Sequence, residues 1–163
     1  MKAVLDSRIG GWADVRDSAR NTVWKGSLGD KAISSEFKRG ILMSEHSPLR
    51  CLQFRITLEQ IPYWVSVHLC RHKYAAPVFG EDPFVTTQRG DRLVQVTERD
   101  NLPQGALVNH QFLANAQGLI QVSRARLCFL ASKETLAAWS ATKALLRREE
   151  EPELADAMVM QCI

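Results

Sequence analysis

Residues 51–58 (C-L-Q-F-R-I-T-L) alternate strictly: Leu52, Phe54, Ile56 and Leu58 fall between Gln53, Arg55 and Thr57. That is the period of a strand with one buried face. Upstream, K-A-V-L at 2–5 reads as a short strand, and Val15, Ala19 and Val23 stand at helical spacing within 13–24, beside Arg16 and Arg20. Gly26, Gly29 and Asp30 break that pattern, and Ser34 or Ser35 is placed to cap a helix running from Glu36 to about Glu45. Ser47-Pro48 ends it, because the residue before proline avoids helical angles. Beyond the alternating stretch, Pro62 suits the first turn of a helix on which Ile61, Trp64, Val65 and His68 share a face, a stripe that runs on to Arg71 and His72.

The second half reads as a strand over R-L-V-Q-V-T-E (92–98), a turn at 101–105, and one long helix over 106–131 with Gly118 inside it. Asn115, Gly118, Leu119, Val122 and Arg126 lie on one side of that helix. The glycine there marks a close approach, either by a ligand or by another helix. A further helix spans 133–148, with Leu136, Trp139 and Leu146 toward the core and Ser140 and Lys143 interrupting that side. The run Arg147 to Glu151 reads as solvated surface with local charge pairing. Residues 153–160 form a last amphipathic piece, which docks on the core or on another subunit.

A length of 163 residues suits one domain, 1–163, with a core of its own. At 45% hydrophobic and 24% charged residues the chain is neither disordered nor fibrous. A net charge of +3 agrees with an anionic ligand and is too small to argue for nucleic acid. Apolar runs are short and interrupted by charge, so no membrane span is expected, and the N-terminus lacks the apolar core of a signal peptide. Cys51, Cys70, Cys128 and Cys162 are widely spaced, which argues against a disulfide framework or zinc knuckle and for reduced thiols in a cytoplasm. There is no P-loop, G-x-G-x-x-G, H-E-x-x-H or G-x-S-x-G, and no internal repeat.

What chemistry the pattern offers is concentrated between Arg71 and Arg92. Arg71, His72 and Lys73 open this stretch and Arg89 and Arg92 close it, while Pro77, Gly80, Pro83 and Gly90 make it a loop. Arginine presents a planar fork of donors to phosphate oxygens. The simpler reading is a solvated basic turn at the carbonyl end of a helix. Two histidines and an arginine arriving together, His68, Arg71 and His72, favour a site.

Three separated blocks resemble the flavin-dependent thymidylate synthases. Arg71-His72-Lys73 resembles that family's R-H-R triplet, and Thr87 to Arg92 (T-Q-R-G-D-R) the S-x-R end of its loop. His46-Ser47-Pro48-Leu49 stands where the family has a histidine ahead of a strand. Leu102-Pro103 precedes N-A-Q-G-L-I-Q-V-S-R-A-R, Asn115 to Arg126, which is similar to the family's N-A-R-S-L-x-x-F-x-x-x-R helix in its Asn, Ala, Leu and last Arg. The blocks span about 35–130. Lys73 replaces an arginine, His68 a glutamine, Gly90 the loop serine and Gln117 an arginine; the loop is longer, the 92–102 connection shorter, and the acidic member of F-E-H is missing near Arg50 and Cys51. The chain thus looks like a compact, divergent, phage-like member.

The resemblance implies an α+β fold, a small antiparallel sheet packed with long helices. It implies methylation of dUMP to dTMP, with FAD as cofactor and methylenetetrahydrofolate and NADPH as cosubstrates, in the cytoplasm of a bacterial or phage-infected cell. By carry-over, His46, Arg71, His72, Lys73 and Asn115 contact flavin, with Gln121 a weaker candidate, and Gln88 lies between flavin and nucleotide. Arg92 and Arg126 grip the phosphate or polarise the pyrimidine carbonyls; Arg89 is the runner-up to Arg92, and His68 touches the nucleotide. A homotetramer with shared active sites is implied, and no cysteine nucleophile is required. Two other classes stand beside this one: a nucleotide-binding or nucleotide-modifying homologue without thymidylate synthase activity, favoured by Gly90, and a basic nucleic-acid module on the 71–92 loop, which Glu81, Asp82 and Asp91 dilute.

Overall fold

A computed structural model of the protein describes residues 1–72, 85–87 and 102–161. In chain order these form β1 (Lys2–Ile9), α1 (Trp12–Asn21), α2 (Ser35–Met43), a 3-10 turn (Ser47–Cys51), β2 (Gln53–Pro62), α3 (Tyr63–Cys70), β3 (Val85–Thr87), β4 (Leu107–Asn115), α4 (Ala116–Arg126), α5 (Lys133–Arg148) and α6 (Pro152–Ala157). The described strands make one antiparallel sheet in the order β1-β2-β4-β3. This is the α+β class expected from the sequence, a small antiparallel sheet packed with helices.

Alternation in β2 is read correctly: Phe54, Ile56 and Leu58 are fully buried while Gln53, Arg55 and Thr57 are half-exposed. The strand runs further than 51–58, however. A bulge at Glu59 and Gln60, with Gln60 in the left-handed region (φ 56), returns Ile61 to the inward face. Ile61 therefore belongs to the strand, and the helix begins after Pro62.

The larger correction concerns 106–131. Its first third is not helix but strand β4, on which Val108, His110, Phe112 and Ala114 point inward at period two and pair with β2. Asn115 then caps α4, its Oδ1 accepting from the Gly118 amide at 2.8 Å. The absence of proline over 106–131 permits a helix but does not require one. An inward face offered to a neighbouring strand decided the matter.

Helix α5 has the expected bounds, capped by Ser132 Oγ on the Thr135 amide at 3.2 Å. Trp139 anchors it, stacked on Phe112 with centroids 5.7 Å apart and donating through Nε1 to Ser123 Oγ at 2.8 Å. Leu146 is buried beside it. The C-terminal piece docks on the chain's own core, with Leu154, Ala155 and Met158 fully buried and Lys143 Nζ donating to the Met158 carbonyl at 2.7 Å.

One surface expectation fails. Arg147 to Glu150 are exposed, but Glu150 adopts φ 62 and the turn sends Glu151 inward, where it is 1% exposed. It accepts from Trp12 Nε1 at 2.8 Å and pairs with Arg8. The stretch read as loop from Arg71 to Arg92 contains β3, paired to β4 with Thr87 opposite His110. The strand expected over 92–98 lies outside the described residues.

Candidate active site

Two helices end at the same place. Helix α3 starts where the Tyr63 and Trp64 amides donate to the Ala106 and Gln104 carbonyls, at 2.9 and 3.3 Å, so the 102–106 turn sets its direction. Its inward residues Val65 and Leu69 pack in the core, and its last turn carries His68, with Arg71 as C-cap and the His72 amide donating to the Leu69 carbonyl at 3.2 Å. Helix α4 leaves β4 at Asn115, is buried along Leu119 and Val122, and ends with Arg126 one turn beyond Val122.

There Arg126 Nε donates to His72 Nε2 at 2.6 Å, and Nη2 reaches toward the His68 carbonyl at 3.4 Å. Because Nε2 accepts, the His72 proton sits on Nδ1. Burial, and then the Arg126 charge, push the His72 pKa down to about 4, so the ring is neutral at pH 7. Burial and the neighbouring Arg71 charge also lower the Arg126 pKa. Among the described residues no carboxylate pairs with Arg71 or Arg126. The corner thus holds two like charges and a neutral imidazole, an arrangement that an anionic ligand relieves.

The other expected residues stand elsewhere. His46 is exposed at the start of the 3-10 turn, beside Glu45, whose carbonyl accepts from Gln117 Nε2 at 2.9 Å. This places it at the opposite end of α4 from Arg126, roughly 15 Å along the helix. Asn115 is at that end too, 3% exposed, with Oδ1 engaged in the cap. Gln121 is half-buried and shares the Gln117–Arg124 stripe of α4 rather than the Val122–Arg126 side. Lys73, Gln88, Arg89 and Arg92 lie outside the described residues.

Sequence reasoning missed a polar network running along α4 from Gln117 to Arg124. Arg50 Nε donates to Gln117 Oε1 at 2.7 Å, and Glu45, placed by a left-handed backbone (φ 47), pairs with Arg124. The signal available was Glu45 itself, adjacent to His46. Also missed was His110, fully buried on β4, with Nδ1 at 2.9 Å from Thr87 Oγ1. The period-two pattern around it would have identified it. Cys51, Cys70 and Cys128 form no disulfide, and burial raises the Cys70 pKa. No metal-binding cluster and no helix long and apolar enough to cross a membrane occurs among the described residues.

A flavin-dependent thymidylate synthase from Helicobacter pylori, complexed with FAD and dUMP, superposes on 96% of this chain and 99% of its own, with a TM-score of 0.71 and 13% identity. The two share a fold. A second structure of that enzyme with FAD and dUMP gives a TM-score of 0.71 and 14% identity over 97% of this chain and 99% of its own. A UMP/dUMP methylase from Streptomyces cacaoi, bound with 5-Br dUMP, gives 0.72 and 13% identity over 96% and 93%. The flavin-dependent thymidylate synthase resemblance of the sequence is thus met at the level of fold. No family model and no curated protein matches the sequence.

Proposed function

We propose that the chain is a flavin-dependent methylase converting dUMP to dTMP, with methylenetetrahydrofolate as one-carbon donor and NADPH as reductant, in the cytoplasm of a bacterial or phage-infected cell. The observation that carries this reading is the Arg71–His72–Arg126 corner, cationic and without a carboxylate among the described residues, on a fold shared with an enzyme complexed with FAD and dUMP. Two guanidiniums with no carboxylate partner among the described residues suit a cofactor and a substrate that both carry phosphate.

In this reading FAD, when bound, supplies the hydride, and the chain binds, orients and polarises. Arg126, its plane set by the bond to His72, offers its remaining N–H groups to a nucleotide phosphate or to a pyrimidine carbonyl where negative charge develops. His68, one turn before His72, is the residue assigned to touch the nucleotide, and the family resemblance assigns Arg92, Arg89 and Gln88 to the same grip. Arg71, His72 and Lys73 hold flavin on one side, and His46, Asn115 and Gln121 on the other. Because His46 and Asn115 lie at one end of α4 and Arg71 and His72 at the other, the site in this reading is completed between copies of the chain, as in a homotetramer with shared active sites. Neutral His72 is suited to accept and orient rather than to transfer a proton at pH 7.

A second reading is favoured by the likeness to a UMP/dUMP methylase: the chain modifies or binds another pyrimidine nucleotide without thymidylate synthase activity. The test is the flavin absorbance spectrum of purified protein. Uptake of FAD, lost in Arg71→Ala, together with rescue of thymidine auxotrophy that Arg126→Ala does not provide, supports the first reading. FAD uptake and UMP or dUMP binding without rescue supports the second. A colourless protein without FAD affinity overturns both.

A further inference from the structure

Beside the Arg126–His72 pair is a small, partly open pocket of about 20 Å³ that both His72 and His110 line, together with apolar side chains of α3, β4, α4 and α5. A space of that size takes one water, provided polar groups face it. His110 is 0% exposed; its Nδ1 meets Thr87 Oγ1, and its Nε2 has no partner among the described residues. An enclosed ring nitrogen left unpaired is costly, and native structures answer such groups with protein or ordered water. Burial also pushes the His110 pKa down to about 4, so both rings at the cavity are neutral, and with His72 Nε2 held by Arg126 and His110 Nδ1 by Thr87 each ring has one nitrogen left for a water.

We propose that this cavity is a water site, and that His110, through the water and His72, is a positioning residue for Arg126. The physical case is one of orientation. Among the described residues His72 is held by the Arg126 guanidinium at Nε2, and an imidazole pinned at one nitrogen turns about its side-chain torsions. A second bond on the cavity side fixes the ring, and with it the plane in which Arg126 presents its outward N–H groups. The Thr87 hydroxyl holds His110 from behind, so the relay runs from β3 through β4 to the ends of α3 and α4. This inference rests on the reading of Arg126 as a nucleotide-gripping group.

The chain has four histidines, so their ring nitrogens are separable by NMR on ¹⁵N-histidine-labelled full-length protein. Three variants divide the possibilities. His110→Leu removes both ring nitrogens, His110→Gln keeps a polar nitrogen near the Nε2 position while giving up the Thr87 bond, and Ala114→Val fills the cavity from β4 without touching a polar group. The expected result is one sharp set of His72 ring resonances, protonated at Nδ1, in wild type and His110→Gln, and exchange-broadened His72 ring resonances in His110→Leu and Ala114→Val, where the ring is held at Nε2 but turns about its torsions. With them, dUMP affinity should fall about tenfold in the latter two, the equivalent of one net hydrogen bond. Unchanged His72 resonances in Ala114→Val overturn the proposal, and so does a His110→Gln protein that behaves like His110→Leu. Should His110→Leu fail to fold, Ala114→Val alone carries the comparison. The imidazole measurement needs no nucleotide, so wild-type protein that binds no dUMP would refute the proposed function and leave this test intact.

Discussion

Glu151 and Arg126 both bring a charge to a helix boundary, Glu151 at the start of α6 and Arg126 at the end of α4. Around Glu151 the surroundings answer the charge: the Trp12 indole donates at 2.8 Å, Arg8 pairs with it, and Lys38 bridges to the neighbouring Glu153 at 3.6 Å while lying over the Trp12 ring. Around Arg126 the described residues do not; its partners among them are a neutral imidazole and a carbonyl, with the Arg71 charge nearby. The first corner ties β1, α1, α2 and α6 together and is spent on stability. The second keeps a charge in reserve, which is the usual mark of a site that expects a ligand.

The largest effect that would sharpen the contrast is on folding. Glu151→Ala leaves the Trp12 N–H and Arg8 without their shared acceptor and should cost about 3 kcal/mol, lowering Tm by about 10 °C in a scanning calorimeter. A drop no greater than that of a surface substitution would break the comparison. Next is Arg126→Ala, expected to weaken dUMP binding about 100-fold by titration calorimetry while Tm changes by no more than about 2 °C. If its Tm falls as far as that of Glu151→Ala, the second corner is structural as well.

A third effect separates the corners by pH. His110 and His72 have folded pKa values of about 4 against an ordinary 6.5, so unfolding takes up protons between those values. Their contribution is complete above pH 6.5 and is lost as pH falls toward 4, by about 2 kcal/mol for the buried His110. Glu151 works in the opposite sense, since burial raises its pKa and acid relieves its cost. Urea melts at pH 7 and 4.5 should therefore show the loss, and His110→Gln should flatten it; an unchanged slope in that variant would remove His110 as its source. The smallest effect lies outside both corners: Ser132→Ala deletes the cap of α5 and should cost about 1 kcal/mol by the same melts.

Helix α5 and the inward face of β2 were legible because one local period, uninterrupted, described each. The candidate corner was legible in part: the apolar stripe of α3 leads to Arg71 and His72, and the register from Asn115 fixes Arg126 on α4. The distance between His46 and Arg126 was not, because motif order says which residues recur and not which end of a helix each one occupies.

Residues 107–115 show where local information stops. L-V-N-H-Q-F-L-A-N carries both a strand period and no helix breaker, and the choice fell to β2, whose open edge takes up its backbone hydrogen bonds. Charge compensation is also decided in three dimensions, since Trp12 and Glu151 stand 139 residues apart in the chain and meet over one hydrogen bond. The sequence by itself determined which faces are apolar and which residues carry charge, since both are properties of single side chains and their spacing. Which charges find a partner, and which imidazole nitrogens are left facing a cavity, only the tertiary structure decided, because hydrogen bonds and ion pairs act over a few ångströms, and only folding brings distant residues that close.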